Sequence, residues 1–174
     1  GYDLDLGISA QMDAQEEEEG EIVLSAKLFV DMMRRMNGDT VTIHTDEKYL
    51  TQIKSGATEF TILGIPSDEF PEIPVVQEEQ SISLPQHLLK SMIDQTLFAI
   101  STNDSKPVHT GSLFQLEDGE LRVVSVDGFR LALRREKVSA EGSAQFIIPG
   151  KTLSEMNKLL SDEEDEETRL YLSR

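Results

Sequence analysis

The sequence predicts an α+β fold made of a repeated unit, one strand, one helix and then three strands, with the helices on one face of antiparallel sheets. Two observations predict it. Three segments, "EIVLSAKLFVDMMRRM", "SISLPQHLLKSMIDQT" and "QFIIPGKTLSEMNKLL", each run from a short apolar stretch into an amphipathic helix. After the first two come stretches in which apolar and polar residues alternate, the period of a strand with one buried face.

The first element is the stretch "YDLDLGISAQMDA", in which Leu4, Leu6, Ile8 and Ala10 alternate with polar residues and predict a strand. It has no lead-in, and another alternating stretch stops at Arg174. We therefore expect a chain truncated at both ends, which begins and stops in the middle of the fold.

The three helices start at Ser25, Pro85 and Pro149, which are 60 and 64 residues apart. Serine is a favoured N-cap, and proline suits a helix entry because the N–H that it lacks would be unpaired there. Apolar residues then recur with the helical period, which predicts helices of about three turns, over 26–36 and 86–97 in the first two copies. The predicted buried stripes consist of Phe29, Met32, Met33 and Met36, then Leu89, Met92 and Ile93, then Leu153, Met156 and Leu160.

Three strands are predicted after each of the first two helices: "TVTIHTD", "YLTQIKSG" and "EFTILGI", then "GSLFQLED", "ELRVVSV" and "FRLALRREKV". The third copy has one strand after its helix. Between the first two copies, "PSDEFPEIPVVQEEQ" has the prolines and acidic residues of a linker. The predicted domains are therefore 1–74 and 81–174, joined by a linker over 75–80.

The composition excludes several classes of protein. With 16 basic and 33 acidic residues the formal charge is -17, so any contact with nucleic acid must come from a few local basic groups or from shape. The absence of cysteine excludes disulfides, a thiolate nucleophile and cysteine-bound zinc. No apolar run approaches the ~18 residues of a membrane span, and residues 1–15 do not have the pattern of a secretory signal, which favours a soluble, intracellular protein.

Motifs for catalysis or ligand binding are weak. Three acidic runs, of which "SDEEDEE" is the longest, lack the spacing and the central glycine of a calcium loop and are interpreted as solvated loops. Gly150-Lys151-Thr152 matches the end of a phosphate-binding loop, but Gln145 stands where that loop needs its first glycine. The histidines have no paired ligand spacing. We therefore predict no catalytic residue, no metal and no cofactor, and a nucleotide-binding enzyme is the weakest hypothesis.

The segment "VVSVDGFRLALRREKV" predicts a hairpin, because its Asp-Gly pair is a strong turn signal between two apolar strands. A hairpin alone does not require Phe129 and Arg130, which directly follow the glycine. If these two side chains face a partner, both are expected to be exposed and Leu131 partly open. In a plain hairpin, Phe129 and Leu131 are expected to be buried. Leu133 is expected to lie in the core in either case.

In its context, this segment resembles a known family. The order of "ISLP", an amphipathic helix, "FAISTNDSKPVHTG", a strand, "VDGFRLALRREKV" and "FIIPGKTLSEMNKLL" resembles the bacterial sliding clamp, the beta subunit of DNA polymerase III. In the first half, "GYDLDLGI" and "ATEFTILGIPSDEFPEIP" resemble the later part of that family's first domain. The most specific pieces are the Asp-Gly-x-Arg-Leu-Ala block at 127–132 and the pair Phe70-Pro71.

The resemblance implies the DNA clamp fold and a function. In that family three domains make a chain, each domain is a pair of these units, and two chains close head-to-tail into a ring whose helices line the hole. The chain then holds the second half of domain one (1–74) and the first half and the start of the second half of domain two (81–174). The implied protein is a cytoplasmic, non-catalytic processivity factor of DNA replication, a homodimer that encircles duplex DNA.

The resemblance also implies two kinds of site. One is a groove that receives short hydrophobic peptides from the replicative polymerase, the clamp loader and repair proteins, and its matching residues here are His109, Val126, Gly128, Phe129, Arg130 and Leu131. The other is a set of basic residues that interact weakly with DNA: Lys27, Arg34, Arg35 and Lys90 on the helices, and Lys106 in the loop after the second helix. The competing hypothesis is an acidic α+β interaction module unrelated to DNA.

Overall fold

The chain folds as two compact units, unit 1 over Gly1–Pro74 and unit 2 over Val75–Arg174. The strand pairings among the described residues are antiparallel, and the predicted α+β class is confirmed. Most of the predicted linker lies outside the described residues, and its last residue, Gln80, begins the first strand of unit 2. The computed structural model describes residues 1–4, 6–74, 76, 80–103 and 105–172.

In its described residues, unit 1 contains one α-helix, a short 3-10 turn at Ser67–Glu69 and a three-stranded meander in the order β1-β2-β3. Its elements are α1 (Ala26–Met33), β1 (Thr42–Thr45), β2 (Leu50–Ser55) and β3 (Thr58–Leu63). The helix ends at Met33 rather than at 36, since the chain then tightens: the N–H groups of Arg35 and Met36 donate to carbonyls three residues back. The predicted apolar stripe of α1 is only half buried, whereas Ile53 and Ile62 of the sheet are buried.

Two predicted strands in unit 1 are wrong. In the described residues, the alternating stretch at 4–10 contributes only a turn with one bridge, between Tyr2 and Gly7. The stretch "EIVL" likewise forms one bridge, between Val23 and Ile65. An alternating pattern sets which side chains share a face, but a strand also needs a neighbour to which it can hydrogen-bond. The described residues place no full strand beside either stretch.

Unit 2 contains a four-stranded sheet in the order β7-β6-β5-β8 and a separate pair, β4 with β9. The second predicted helix ends at Asp94 rather than at 97, and a short 3-10 turn, Leu97–Ala99, follows it. Helices α2 and α3 each start directly after a proline, as predicted. The elements are β4 (Gln80–Pro85), α2 (Gln86–Asp94), β5 (Gly111–Glu117), β6 (Glu120–Val126), β7 (Leu131–Lys137), β8 (Ala144–Pro149), α3 (Gly150–Leu159) and β9 (Glu167–Leu172).

The core of unit 2 joins the apolar stripes of its helices to the inner face of the four-stranded sheet. All the predicted stripe residues of α2, together with Leu153 of α3, are buried. On the sheet, Phe114 is buried and stacks on Phe146 with ring centroids 5.5 Å apart. The buried cluster consists of Ile82, Leu84, Leu89, Met92, Ile93, Phe114, Leu116, Leu121, Val123 and Leu153.

Strand pairing in unit 2 has the symmetry of an internal duplication. The strand before each helix pairs with the first strand after the other helix, β4 with β9 and β8 with β5. The first N–H of each helix makes the matching contact: Gln86 donates to the Glu166 carbonyl at 2.7 Å, and Gly150 donates to the Thr110 carbonyl at 3.0 Å. The predicted repeat of a strand followed by a helix is therefore confirmed within unit 2, whereas in unit 1 the stretch before α1 forms one bridge and not a strand.

The two units are expected to differ in local stability. Among the described residues, the buried apolar side chains lie mostly in unit 2, and those of unit 1 are Ile53 and Ile62. Opening unit 1 therefore exposes less apolar surface and costs less free energy. We expect amides of β2 to exchange with deuterium at least roughly tenfold faster than those of β6, although both are central strands. Hydrogen exchange read by mass spectrometry checks this, and equal protection of the two strands would contradict it.

Candidate functional site

The segment after β6 is a four-residue turn that depends on its Asp-Gly pair. Val126 and Leu131 form the last pair of the β6–β7 ladder, and residues 127–130 connect them. The Asp127 carboxylate oxygen Oδ1 accepts the N–H groups of Phe129 at 2.9 Å and Arg130 at 3.0 Å. Gly128 has a φ of 96°, which glycine adopts without strain. The hairpin predicted for this segment is confirmed.

The same carboxylate holds the arginine side chain. Nε of Arg130 donates to Oδ2 of Asp127 at 2.8 Å. The backbone N–H groups of Phe129 and Arg130, and then the guanidinium itself, lower the pKa of Asp127 below its ordinary value. A lowered pKa means that the contribution of this carboxylate to the turn is complete above the ordinary pKa of aspartate. It is lost as the pH falls through the lowered value, so the turn is intact at neutral pH.

Phe129 and Arg130 do not belong to the core. Phe129 is fully exposed, Leu131 is 64% exposed and the Arg130 side chain is 57% exposed. Val126 and His109 are half buried. The plain-hairpin alternative, in which Phe129 and Leu131 are covered by neighbouring strands, is therefore wrong. The turn instead presents an aromatic ring, a guanidinium and a leucine to solvent.

The prediction that Leu133 lies in the core is also wrong, because Leu133 is 46% exposed. Successive side chains of a strand point to opposite faces, and on β7 it is Ala132 that points inward and is buried. Leu131 and Leu133 therefore share the outer face. By the strand register, that face continues across the sheet as an apolar row comprising Leu133, Val124, Leu113 and Ile147.

A further side chain at the turn, Phe98, was not predicted from the sequence. It projects from the 3-10 turn after α2 and is 59% exposed, and its ring centroid lies 5.6 Å from Cζ of Arg130. The two residues are 32 positions apart in the sequence, so no local pattern predicts their contact. His109, which the resemblance includes in the groove, ends the 3-10 turn Pro107–His109 just before β5, and β5 pairs with β6.

The predicted DNA-facing residues occupy different settings. Lys27 is exposed on α1, but Arg34 and Arg35 follow the end of that helix instead of lying on it. Lys90 lies on α2 as predicted, yet its Nζ is 2.7 Å from Oδ2 of Asp162, so the acidic loop partly neutralises it. Lys106 is exposed and immediately precedes a 3-10 turn.

Nucleotide binding at Gly150 has no support in the geometry. Pro149 ends β8 and Gly150 begins α3, so no loop is left to surround a phosphate. A Cβ built on Gly150 would lie 2.2 Å from Cδ1 of Ile100, so close packing accounts for this glycine.

Across the residues that the structure describes, no three His, Asp or Glu side chains are grouped to hold a metal ion. In the same residues, every helix is too short or too polar to cross a bilayer.

Comparisons with known proteins agree over both units. The model of the DNA polymerase III beta subunit N-terminal domain matches residues 1–74, and that of the central domain matches residues 83–174. The beta sliding clamp of Halalkalibacterium halodurans is 37% identical over 177 residues, which cover 95% of this chain and 47% of that protein. The beta sliding clamp of Bacillus subtilis is 37% identical over 175 residues, with 95% and 46% covered. The chain thus spans about half the length of these curated relatives.

Solved structures give the same result. A crystal structure of a putative DNA polymerase III beta subunit from Eubacterium rectale superposes with a TM-score of 0.88 at 39% identity, covering 93% of this chain and 45% of that one. The sliding clamp of Bacillus subtilis superposes with a TM-score of 0.86 at 36% identity, covering 94% and 44%.

Proposed function

This chain belongs to the bacterial sliding-clamp family, the beta subunits of DNA polymerase III, and we propose that it is part of a processivity factor that encircles duplex DNA. The observation that carries the proposal is the match to two successive clamp domains in chain order, over almost the whole chain. We assign 1–74 to the second half of domain one and 75–80 to the linker. Residues 81–174 are then the first half and the start of the second half of domain two.

We further propose that the turn at 127–131 is part of a groove for short hydrophobic peptides. The exposed Leu131 and the adjoining apolar row supply a floor, and Arg130 supplies a donor at its edge. Such a surface suits a peptide with a few apolar anchors and carbonyl acceptors. The partners in this role are the replicative polymerase, the clamp loader and repair proteins. The protein itself carries out no catalysis in this role and acts in the cytoplasm.

The acidic composition is consistent with a ring that does not bind DNA tightly. A closed ring is retained on the duplex by topology, and only a few weak phosphate contacts are needed. The proposed contacts are Lys27, Arg34, Arg35 and Lys106, together with Lys90 when it is not paired with Asp162. Strong basic attraction would slow sliding. The ring itself is proposed to be a head-to-tail homodimer of the full-length chain.

The 174-residue chain by itself is expected to bind duplex DNA barely or not at all at physiological salt. Its charge of -17 repels phosphate, and nothing encloses the duplex. The full-length protein, once loaded, is expected to remain on closed circular DNA in high salt and to leave when that DNA is linearised. Gel filtration of loaded plasmid before and after restriction cleavage measures the retention, and fluorescence anisotropy measures binding by the short chain.

Two results would contradict this function. Tight, salt-sensitive binding of DNA by the 174-residue chain would indicate an ordinary electrostatic binder. Equal loss of the full-length protein from circular and linear DNA would favour the alternative, an acidic interaction module unrelated to DNA.

A further inference from the structure

The ring of Phe98 is exposed without being loosely held. Its neighbours Thr96 and Ala99 are fully buried, so the backbone on both sides is anchored in the core. The Thr96 hydroxyl donates to the Met92 carbonyl at 2.7 Å, and the Ala99 N–H donates to the Thr96 carbonyl at 3.0 Å. A large apolar ring therefore points into solvent from an anchored turn and is not part of the hydrophobic core.

Arg130 lies against this ring. Its Cζ is 5.6 Å from the Phe98 centroid, within the distance at which a cation is attracted to an aromatic face. On its other side, Nε is bonded to the Asp127 carboxylate at 2.8 Å. One contact comes from the hairpin turn and the other from the turn after α2. Together they limit the rotamers that a long, otherwise mobile side chain can adopt.

We propose that Phe98 is a positioning residue for Arg130, holding the guanidinium at the edge of the peptide groove before a peptide arrives. This inference rests on the proposed function of the turn at 127–131. Asp127 accepts the hydrogen bond of Nε, and the Phe98 ring covers one face of the guanidinium. The two terminal nitrogens can therefore donate to a carbonyl or carboxylate of the peptide. A side chain fixed in advance loses less conformational entropy on binding.

The test measures peptide affinity in the full-length protein. The probe is a synthetic peptide carrying a short hydrophobic motif from a replicative polymerase. Phe98→Leu keeps an apolar side chain but removes the aromatic face, and it is expected to weaken binding about threefold, the usual size of an exposed cation–π contact. Phe98→Tyr keeps the face and is expected to bind as the wild type does.

A double-mutant cycle separates positioning from direct contact. If Phe98 acts through the arginine, Phe98→Leu has no further effect in an Arg130→Ala background. If the loss is the same in both backgrounds, the ring contacts the peptide itself and the inference is overturned. A loss with Arg130→Ala but none with Phe98→Leu overturns the inference and leaves the groove intact. An unchanged affinity with Arg130→Ala overturns the groove, and the inference with it.

A spectroscopic readout is independent of the peptide. The Phe98 ring current is expected to shift the Arg130 side-chain proton resonances upfield, and Phe98→Leu is expected to abolish that shift. Arg169 serves as the internal control: its Cζ lies 6.0 Å from the Tyr171 ring, and its resonances are expected to stay unchanged in Phe98→Leu. Arg130 resonances that stay unchanged in Phe98→Leu would overturn the inference.

Discussion

Replacing Phe114 with alanine is expected to lower the free energy of unfolding by about 3–5 kcal/mol, the largest change of stability that we expect from a single substitution in this chain. The ring is fully buried in the core of unit 2 and stacks on Phe146 at 5.5 Å. Its removal loses the transfer free energy of the ring and leaves a cavity that the rigid sheet cannot close. Urea unfolding of the chain, followed by circular dichroism, measures the change.

Phe129→Ala is the matched control, since it makes the same chemical change at a side chain that is fully exposed. Its free energy of unfolding is expected to stay within about 0.5 kcal/mol of the wild type. Comparable losses from both substitutions would mean that the hairpin turn is packed against structure, and the solvent-facing position of Phe129 would then be wrong.

The sequence predicts unit 2 better than unit 1 for a physical reason. In unit 2 each alternating stretch has a neighbouring strand, so pattern and hydrogen bonding agree, as in β5 and β6. In unit 1 the stretch at 4–10 alternates equally well but has no full strand beside it among the described residues. The period of the apolar residues predicts which side chains are buried. Whether the stretch forms a strand depends on a neighbouring strand, which can be far away in the sequence.

At the candidate site, the sequence predicts the turn, which follows from its Asp-Gly pair. It leaves the exposure of Phe129 open between two alternatives, and the structure decides between them. The outward orientation of Leu133 follows from the sequence once Leu131 is taken as exposed, because residues two positions apart on a strand share a face. The contact between Phe98 and Arg130 could not be predicted, because it depends on how the turn after α2 lies beside β6 and β7.

Arg130→Ala is expected to weaken binding of a polymerase-derived hydrophobic peptide by about 1–2 kcal/mol, which is typical of an interface anchor. The guanidinium contacts Asp127 through Nε and the Phe98 ring through one face, and in the proposed role its terminal nitrogens donate to the peptide. Stability is expected to change by no more than about 0.5 kcal/mol, because the side chain is more than half exposed.

Arg135→Ala provides the matched control on the same strand. Arg135 is exposed on the same outer face of β7, and its register partner is Arg122. Four residues along a strand place it roughly 13 Å from Leu131, beyond the apolar row. The substitution removes the same positive charge from the chain, so any general electrostatic effect on the peptide appears in both variants.

The most direct test of the groove is a calorimetric titration of this peptide against the full-length wild-type, Arg130→Ala and Arg135→Ala proteins, with a melting curve for each. The predicted result is an affinity reduced about 5- to 30-fold by Arg130→Ala alone, with the three melting temperatures nearly equal. Unchanged affinity together with a large loss of stability in Arg130→Ala would show that the arginine serves the fold, and the groove assignment would be wrong.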